Sequence, residues 1–288
     1  MSSKIVINKP TDAVLFLREL RHTHFTFTFT FTSMVPIIRL RSAAVASGIH
    51  LFCSLVVAVL AGVLVFGLWY PFPYRELAGG RELFLLVVAV DVVCGPLLTL
   101  VLYNPAKPRA ELWRDLGIVA IIQLAALGYG LVSVWQARPL FLVQEVDRFK
   151  VVVAPSLESG AVAALPDALK PGWLSGPKVV AIRPPKDNAE RNKVMFESVE
   201  GGRDFAERPE FYLSYEGADA LKSLNKAKPL IVFLKRWPEQ QINATRLAAE
   251  KKTDISQWMY LPVIAREDWV AVLDKQGQIQ GFLKGDGF

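Results

Sequence analysis

The chain has 288 residues, 52% of them hydrophobic, with 33 Lys/Arg against 27 Asp/Glu, a net charge of +6 and two cysteines. The basic excess lies in the first 138 residues, with 12 Lys/Arg against 7 acids, while the rest carries 21 against 20. Basic residues that flank apolar runs belong to membrane edges rather than nucleic-acid contacts, and two cysteines cannot staple a small secreted scaffold.

The first 33 residues stand apart. His24 to Thr32 is a strict alternation ending in Phe29-Thr30-Phe31-Thr32, strand-like in period and low in complexity. It reads as an edge strand or an aggregation-prone tail, or else as sequence upstream of a true translation start at Met34. His22 and His24 have metal-like spacing, but nothing nearby completes a site.

Three apolar runs follow: Ala43–Trp69, Leu83–Tyr103 and Leu116–Ala137. Asp91 is the single charged residue among them. Each is long enough to cross a hydrocarbon core of roughly 30 Å as a helix. The first is far longer than a signal-peptide core and ends without a small-residue cleavage site, so it is expected to stay as an anchor. Pro71 and Pro73 should stop that helix, because proline lacks the amide a continuing helix donates. Trp69, Tyr70, Phe72, Tyr74 and Trp135 at one boundary, and Tyr103 and Trp113 at the other, are expected to sit in the headgroup zone.

The loops set the expected orientation. Lys4, Lys9, Arg18, Arg21, Arg39 and Arg41 precede the first run, and Lys107, Arg109 and Arg114 lie in the loop Asn104–Asp115. The loop Tyr70–Glu82 holds only Arg75 and Arg81. Since Lys and Arg resist translocation, the first two segments are expected in the cytoplasm. The fold class expected is three transmembrane α-helices followed by an extracytoplasmic α+β domain. Residues 1–42 form a cytoplasmic tail, 43–137 the membrane region and 138–288 the periplasmic domain.

Within that domain, Phe141–Val146, Phe149–Val153, Lys178–Arg183 and Leu230–Leu234 read as strands. Lys186–Ser198, Glu216–Lys226 and Glu239–Lys252 read as helices. Trp269–Leu283 reads as a hairpin turning near Lys275–Gly277. The domain has no Cys and no His, which removes Cys/His nucleophiles, a Ser-His-Asp triad and His-ligated metals together. Glu267-Asp268 and the pair Glu197 and Glu200 read as solvated surface. No P-loop, dinucleotide fingerprint or repeat is present, so no catalytic residue, metal or cofactor is expected.

From about Arg39 onward the wording and order of the chain resemble the TfpX/TfpZ family of type IV pilin accessory proteins. The phrases are Phe66–Pro71, Gly79–Phe84, Asp91–Thr99, Tyr103–Pro108, Gln123–Gly130, Gln136–Pro139, Glu145–Phe149, Ala189–Asn192 and Arg208–Tyr212. The resemblance implies a multi-pass inner-membrane protein that helps a cognate major pilin to be assembled or displayed, with that pilin and the assembly machinery as partners besides membrane lipid. It implies no catalytic residues.

Asp91 is the candidate that residue chemistry singles out. A carboxylate at bilayer depth costs roughly 3 kcal/mol on insertion scales, so it usually marks function. At 1.5 Å per residue it lies about 12 Å below the outer boundary, level with Tyr129, while His50, Pro96 and Gln123 form a second layer. Gly95, Gly128 and Gly130 are expected to let the helices approach closely. Three roles stay open for this polar cluster: helix-to-helix glue, a contact for a polar group on a pilin helix, or proton transfer. Cys53 and Cys94 are expected to be free, buried thiols. Besides pilin accessory, the function classes weighed are a pilin-modifying glycosyltransferase and a membrane sensor with an outer ligand domain.

Overall fold

A computed structural model describes residues 37–288, so the Phe/Thr alternation, His22, His24 and Met34 lie outside the described residues. Residues 41–288 form one compact unit, and of the unit before it only helical residues 37–40 are described.

Helix α1 (Ile37–Leu64) ends in a wider π turn, Val65–Trp69, closed by Tyr70 N–H donating to the Val65 carbonyl at 2.7 Å. Pro71 and Pro73 then deny the helix its next donors. A single turn, α2 (Tyr74–Leu77), leads through left-handed Gly79 into α3 (Gly80–Leu102), and α4 (Arg109–Gln136) follows Pro108. The three apolar stretches run 33, 23 and 28 residues, against the ~20 a span requires. Their outward surfaces carry exposed Ile49, Phe52, Leu86 and Ile121. Such surfaces are stable only where hydrocarbon replaces water, since the helical backbone satisfies itself. The chain is a membrane protein.

The C-terminal part is a mixed sheet with helices. Its strands are β1 (Pro139–Gln144), β2 (Phe149–Val153), β3 (Lys178–Ile182), β4 (Tyr212–Ser214), β5 (Lys228–Pro229), β6 (Met259–Ile264), β7 (Trp269–Leu273) and β8 (Ile279–Lys284). Their order is β4-β3-β1-β2-β6-β7-β8, with β5 paired to β6. Strands β1/β3 and β2/β6 are parallel and the other pairs antiparallel. Helices α5 (Asn188–Val199), α6 (Ala218–Ser223), α7 (Leu230–Arg236) and α8 (Gln241–Lys251) complete the domain.

Strand β7 is buried along its whole length. Trp269, Ala271 and Leu273 face one cluster and Val270 and Val272 the other, the period-2 division that a strand imposes. Helices α7 and α8 cover the second face through Leu230, Phe233, Leu234, Ala244 and Ala248.

Two expectations about elements are corrected. Leu230–Leu234 is the helix α7, not a strand. A run of five apolar residues satisfies both periods, and burial of Leu230, Phe233 and Leu234 beside half-exposed Ile231 and Val232 selects the helical one. Strand β6 was not anticipated, because Pro262 interrupts it. Along one edge β5 pairs with Met259 and Tyr260 and β2 with Val263 and Ile264, so Pro262 falls in the gap where no donor is required.

The larger correction concerns the loop between the first two spans. Tyr70 and Tyr74 were expected in the headgroup zone, yet both are buried, as is Trp69. Tyr74 and Leu77 belong to the same core cluster as Leu142, Phe149, Leu261 and Trp269. Arg266 N–H donates to the Leu77 carbonyl at 2.9 Å, and Phe72 meets the Trp269 ring edge-on at 6.0 Å. Tyr74 and Leu77 are thus part of the sheet domain's core, while Trp69 and Tyr70 pack among the ends of the spans. Trp113, at the opposite helix end, is exposed.

Helix α5 shows why one of the shared phrases, Ala189–Asn192, has its wording. Asp187 caps the helix by accepting from Glu190 N–H at 2.7 Å, and Glu190 accepts from Lys186 N–H at 2.6 Å. Both Glu190 oxygens also accept from Arg183, at 2.8 and 2.9 Å. The Arg183 guanidinium and then that amide hold the Glu190 carboxyl below its ordinary 4.5, at about 2. A carboxyl depressed in the folded state supports it above the ordinary value and ceases to as it protonates. Amide protection across Lys186–Arg191, taken relative to the intrinsic exchange rate at each pH, is therefore expected to fall as pH drops from 4.5 toward about 2. With Arg183→Gln that onset should move to higher pH. Exchange mass spectrometry of the purified protein would read both, and identical profiles would remove the pair from the account.

Candidate functional site

Helix α1 meets its neighbours at two levels. Toward its end, Ala61 and Val65 pack with Phe84, and Phe66 meets Phe84 edge-on at 5.0 Å. Toward its start, Ser47 Oγ donates to the Pro96 carbonyl at 2.8 Å, and His50 Nδ1 lies 2.5 Å from Thr99 Oγ1. Both bonds tie the same stretch of α1, Ser47–His50, to the same stretch of α3, Pro96–Thr99. Between the two levels a groove of about 180 Å³ opens, lined by His50, Ser54 and Val57 of α1, Asp91 of α3, and Gln123 and Leu127 of α4.

Helices α3 and α4 are held closely at this depth. Gln123 Nε2 donates to the backbone carbonyl of Asp91 at 2.9 Å. A Cβ placed on Gly95 would lie 2.0 Å from that Nε2, so only glycine leaves room for the carboxamide. Gly130 has the same role beneath Val87, whose Cγ1 would lie 2.4 Å from an added Cβ. Gly128 does not: nothing lies within 4 Å of the position its Cβ would take.

Of the four residues singled out from the sequence, the structure brings His50, Asp91 and Gln123 into one groove. Tyr129 is not with them. It is 78% exposed on the outer surface of α4. Depth along a helix places a residue's height and leaves its direction open, and here the ring points away from α3. The cysteines also need correction: both are free, but Cys53 and Cys94 are exposed on the helix surface rather than buried, and Cys53 sits at the groove's rim. Ser47 and Thr99 were missed. Their signal in the sequence was helical spacing, Ser47 three residues before His50 and Thr99 four after Gly95.

Two polar acceptors around the groove have no partner among the described residues. The Gln123 Oε1 atom is buried with no hydrogen-bond partner. Among the described residues no donor reaches the Asp91 carboxylate, since the bond from Gln123 goes to its backbone. An uncompensated acceptor at bilayer depth is costly, so this arrangement suits a donor arriving from outside the chain.

In the sheet domain several acidic residues are held in ion pairs. Arg208 bonds Glu197 and lies 3.9 Å from Glu210, while Arg203 reaches Glu158 at 3.4 Å. Glu267 pairs with Lys284 at 2.7 Å. Among the described residues no group of three His, Cys, Asp or Glu is placed to hold a metal ion.

The model of the fimbrial assembly protein FimB family matches residues 38–79, which span α1 with His50 and the loop through Leu77. The chain is 35% identical over 254 residues to "Fimbrial assembly protein, serogroup I" of Dichelobacter nodosus, covering 85% of this chain and 96% of that one. It is 34% identical over the same shares to the serogroup E1 protein of that organism. With the protein of serogroups C1 and C2 it shares 44% over 110 residues, 38% of this chain and 84% of the other. No solved structure matches. Likeness of this degree along nearly the whole length of two relatives means that the chain belongs to the fimbrial assembly protein family.

Proposed function

We propose that this chain is a non-enzymatic accessory of type IV pilus assembly, of the TfpX/TfpZ kind, and that its intramembrane groove receives the membrane helix of its cognate major pilin. In this reading residues 1–42 are cytoplasmic, 43–137 cross the inner membrane three times, and 138–288 stand in the periplasm beside the pilin head. The observation that carries it is the Asp91 carboxylate, which no donor among the described residues reaches, in the lining of a groove at bilayer depth. Family membership supports a pilus component as partner, and the basic flanks before Ala43 and in Asn104–Asp115 support the orientation.

Two measurements test it. A phosphatase fused after Phe288 should be active and a cytoplasmic fluorescent reporter there dark; the reverse overturns the orientation. In a background lacking Cys53 and Cys94, a cysteine at Ser54 or Leu127 should cross-link to pilin carrying a cysteine in its membrane helix. A cysteine at exposed Ile121 on the outer face of α4 should not. Equal cross-linking at all three positions, or none at any, would count against the groove as the contact.

A further inference from the structure

The segment joining β2 to β3 contains a turn of unusual composition. Ser175 N–H and Oγ both donate to the Gly172 carbonyl, at 3.4 and 3.1 Å, closing a turn with Trp173 and Leu174 at its tip. Tips of this kind ordinarily carry Gly, Pro, Asn, Asp or Ser. Here the tip holds an indole that is 69% exposed and a leucine that is 40% exposed. Glycine and proline bracket them as Pro171-Gly172 and Gly176-Pro177, so the backbone is shaped to display these two side chains.

The position of the turn explains its composition. Trp69 is the last residue of the first membrane-spanning stretch, and its Nε1 donates to the Trp173 carbonyl at 3.0 Å. A Cβ on Gly176 would lie 2.9 Å from Pro71 Cγ and 3.6 Å from the Leu68 carbonyl oxygen. The turn is thus pinned where α1 leaves the hydrocarbon. An indole at that level gains from the headgroup zone what it would lose in water.

We propose that the turn Gly172–Ser175 is a membrane-contact element. Trp173 and Leu174 enter the boundary between headgroups and acyl chains of the leaflet at which α1 ends. Lys170 and Lys178 flank the turn, but each is already engaged, with Asp167 at 2.8 Å and with the Ala168 carbonyl at 2.6 Å. The apolar tip therefore carries the contact, and salt should not release it. Together with the loop through Tyr74 and Leu77 and the direct connection from α4 into β1, this third attachment holds the sheet domain at one orientation over the bilayer.

The test uses the full chain lacking Cys53 and Cys94, with Leu174→Cys carrying an environment-sensitive fluorophore. It is reconstituted alone in phosphatidylethanolamine and phosphatidylglycerol vesicles that contain lipids with a nitroxide near the glycerol. Val199→Cys, 86% exposed on α5, serves as the comparison site. The label at 174 should be quenched several-fold more by the nitroxide lipids than the label at 199, and less by aqueous iodide, at low and high salt alike. Adding Trp173→Ser should reduce that lipid quenching while leaving the unfolding transition unchanged, since the side chain is exposed. Equal iodide quenching at both sites without lipid quenching at 174 would overturn the proposal. So would protection at 174 that arises only when a partner protein is added, which would make the turn a protein contact.

Discussion

Replacing Asp91 with leucine is expected to leave the protein at its usual abundance and to reduce surface pili to the level of cells lacking the chain. The abundance half of this follows from the hydrogen bonds. Gln123 donates to the backbone of residue 91, so that bond survives any side chain. No other donor among the described residues reaches the carboxylate, and moving from aspartate to leucine at bilayer depth favours insertion by roughly 3 kcal/mol. The piliation half follows from the proposal that a pilin helix supplies the missing donor. Asp91→Asn keeps a hydrogen-bonding side chain without the charge and should fall between wild type and leucine. Immunoblots of sheared surface pilin beside those of the membrane fraction would separate the cases. A leucine variant with full piliation would leave Asp91 without a role, and one with low abundance would make it structural.

The second large effect is expected at the junction between spans and sheet domain. Tyr70 is fully buried, its hydroxyl donates to the Val134 carbonyl at 2.9 Å, and a Cβ on Gly80 would lie 2.2 Å from its ring. One side chain therefore ties the ends of α1, α3 and α4 together. Tyr70→Ala should destabilise the protein by about 3–5 kcal/mol, the range for truncating a large buried aromatic. Tyr70→Phe keeps the ring and should cost about 1 kcal/mol for the lost hydrogen bond. Leu77→Ala, on the sheet side of the same loop and 1% exposed, should cost about 2–5 kcal/mol. Denaturant unfolding of the purified protein in detergent would rank the three. If Tyr70→Ala unfolds with the wild type, the junction does not depend on that ring.

The membrane architecture was legible in the residues alone, because an uncharged run of sufficient length has only one favourable solvent. The terminal hairpin and the helix read over Lys186–Ser198 were legible for the same kind of reason: the patterns that mark them are local. Asp91, Gln123 and His50 could be brought to one region by counting rises along helices, since height is linear in residue number. Direction around each axis is not linear in this way, and so Tyr129 and the two cysteines, matched in depth, turned out to face outward. Leu230–Leu234 could not be assigned from its pattern, because both periods fit and only the neighbouring sheet face decided between them. Tyr74 shows the deepest limit. An aromatic beside a membrane span has the same local chemistry whether headgroups or a protein core receive it. That choice belonged to β6 and β7, nearly 200 residues later in the chain, and no window on the loop itself contains it.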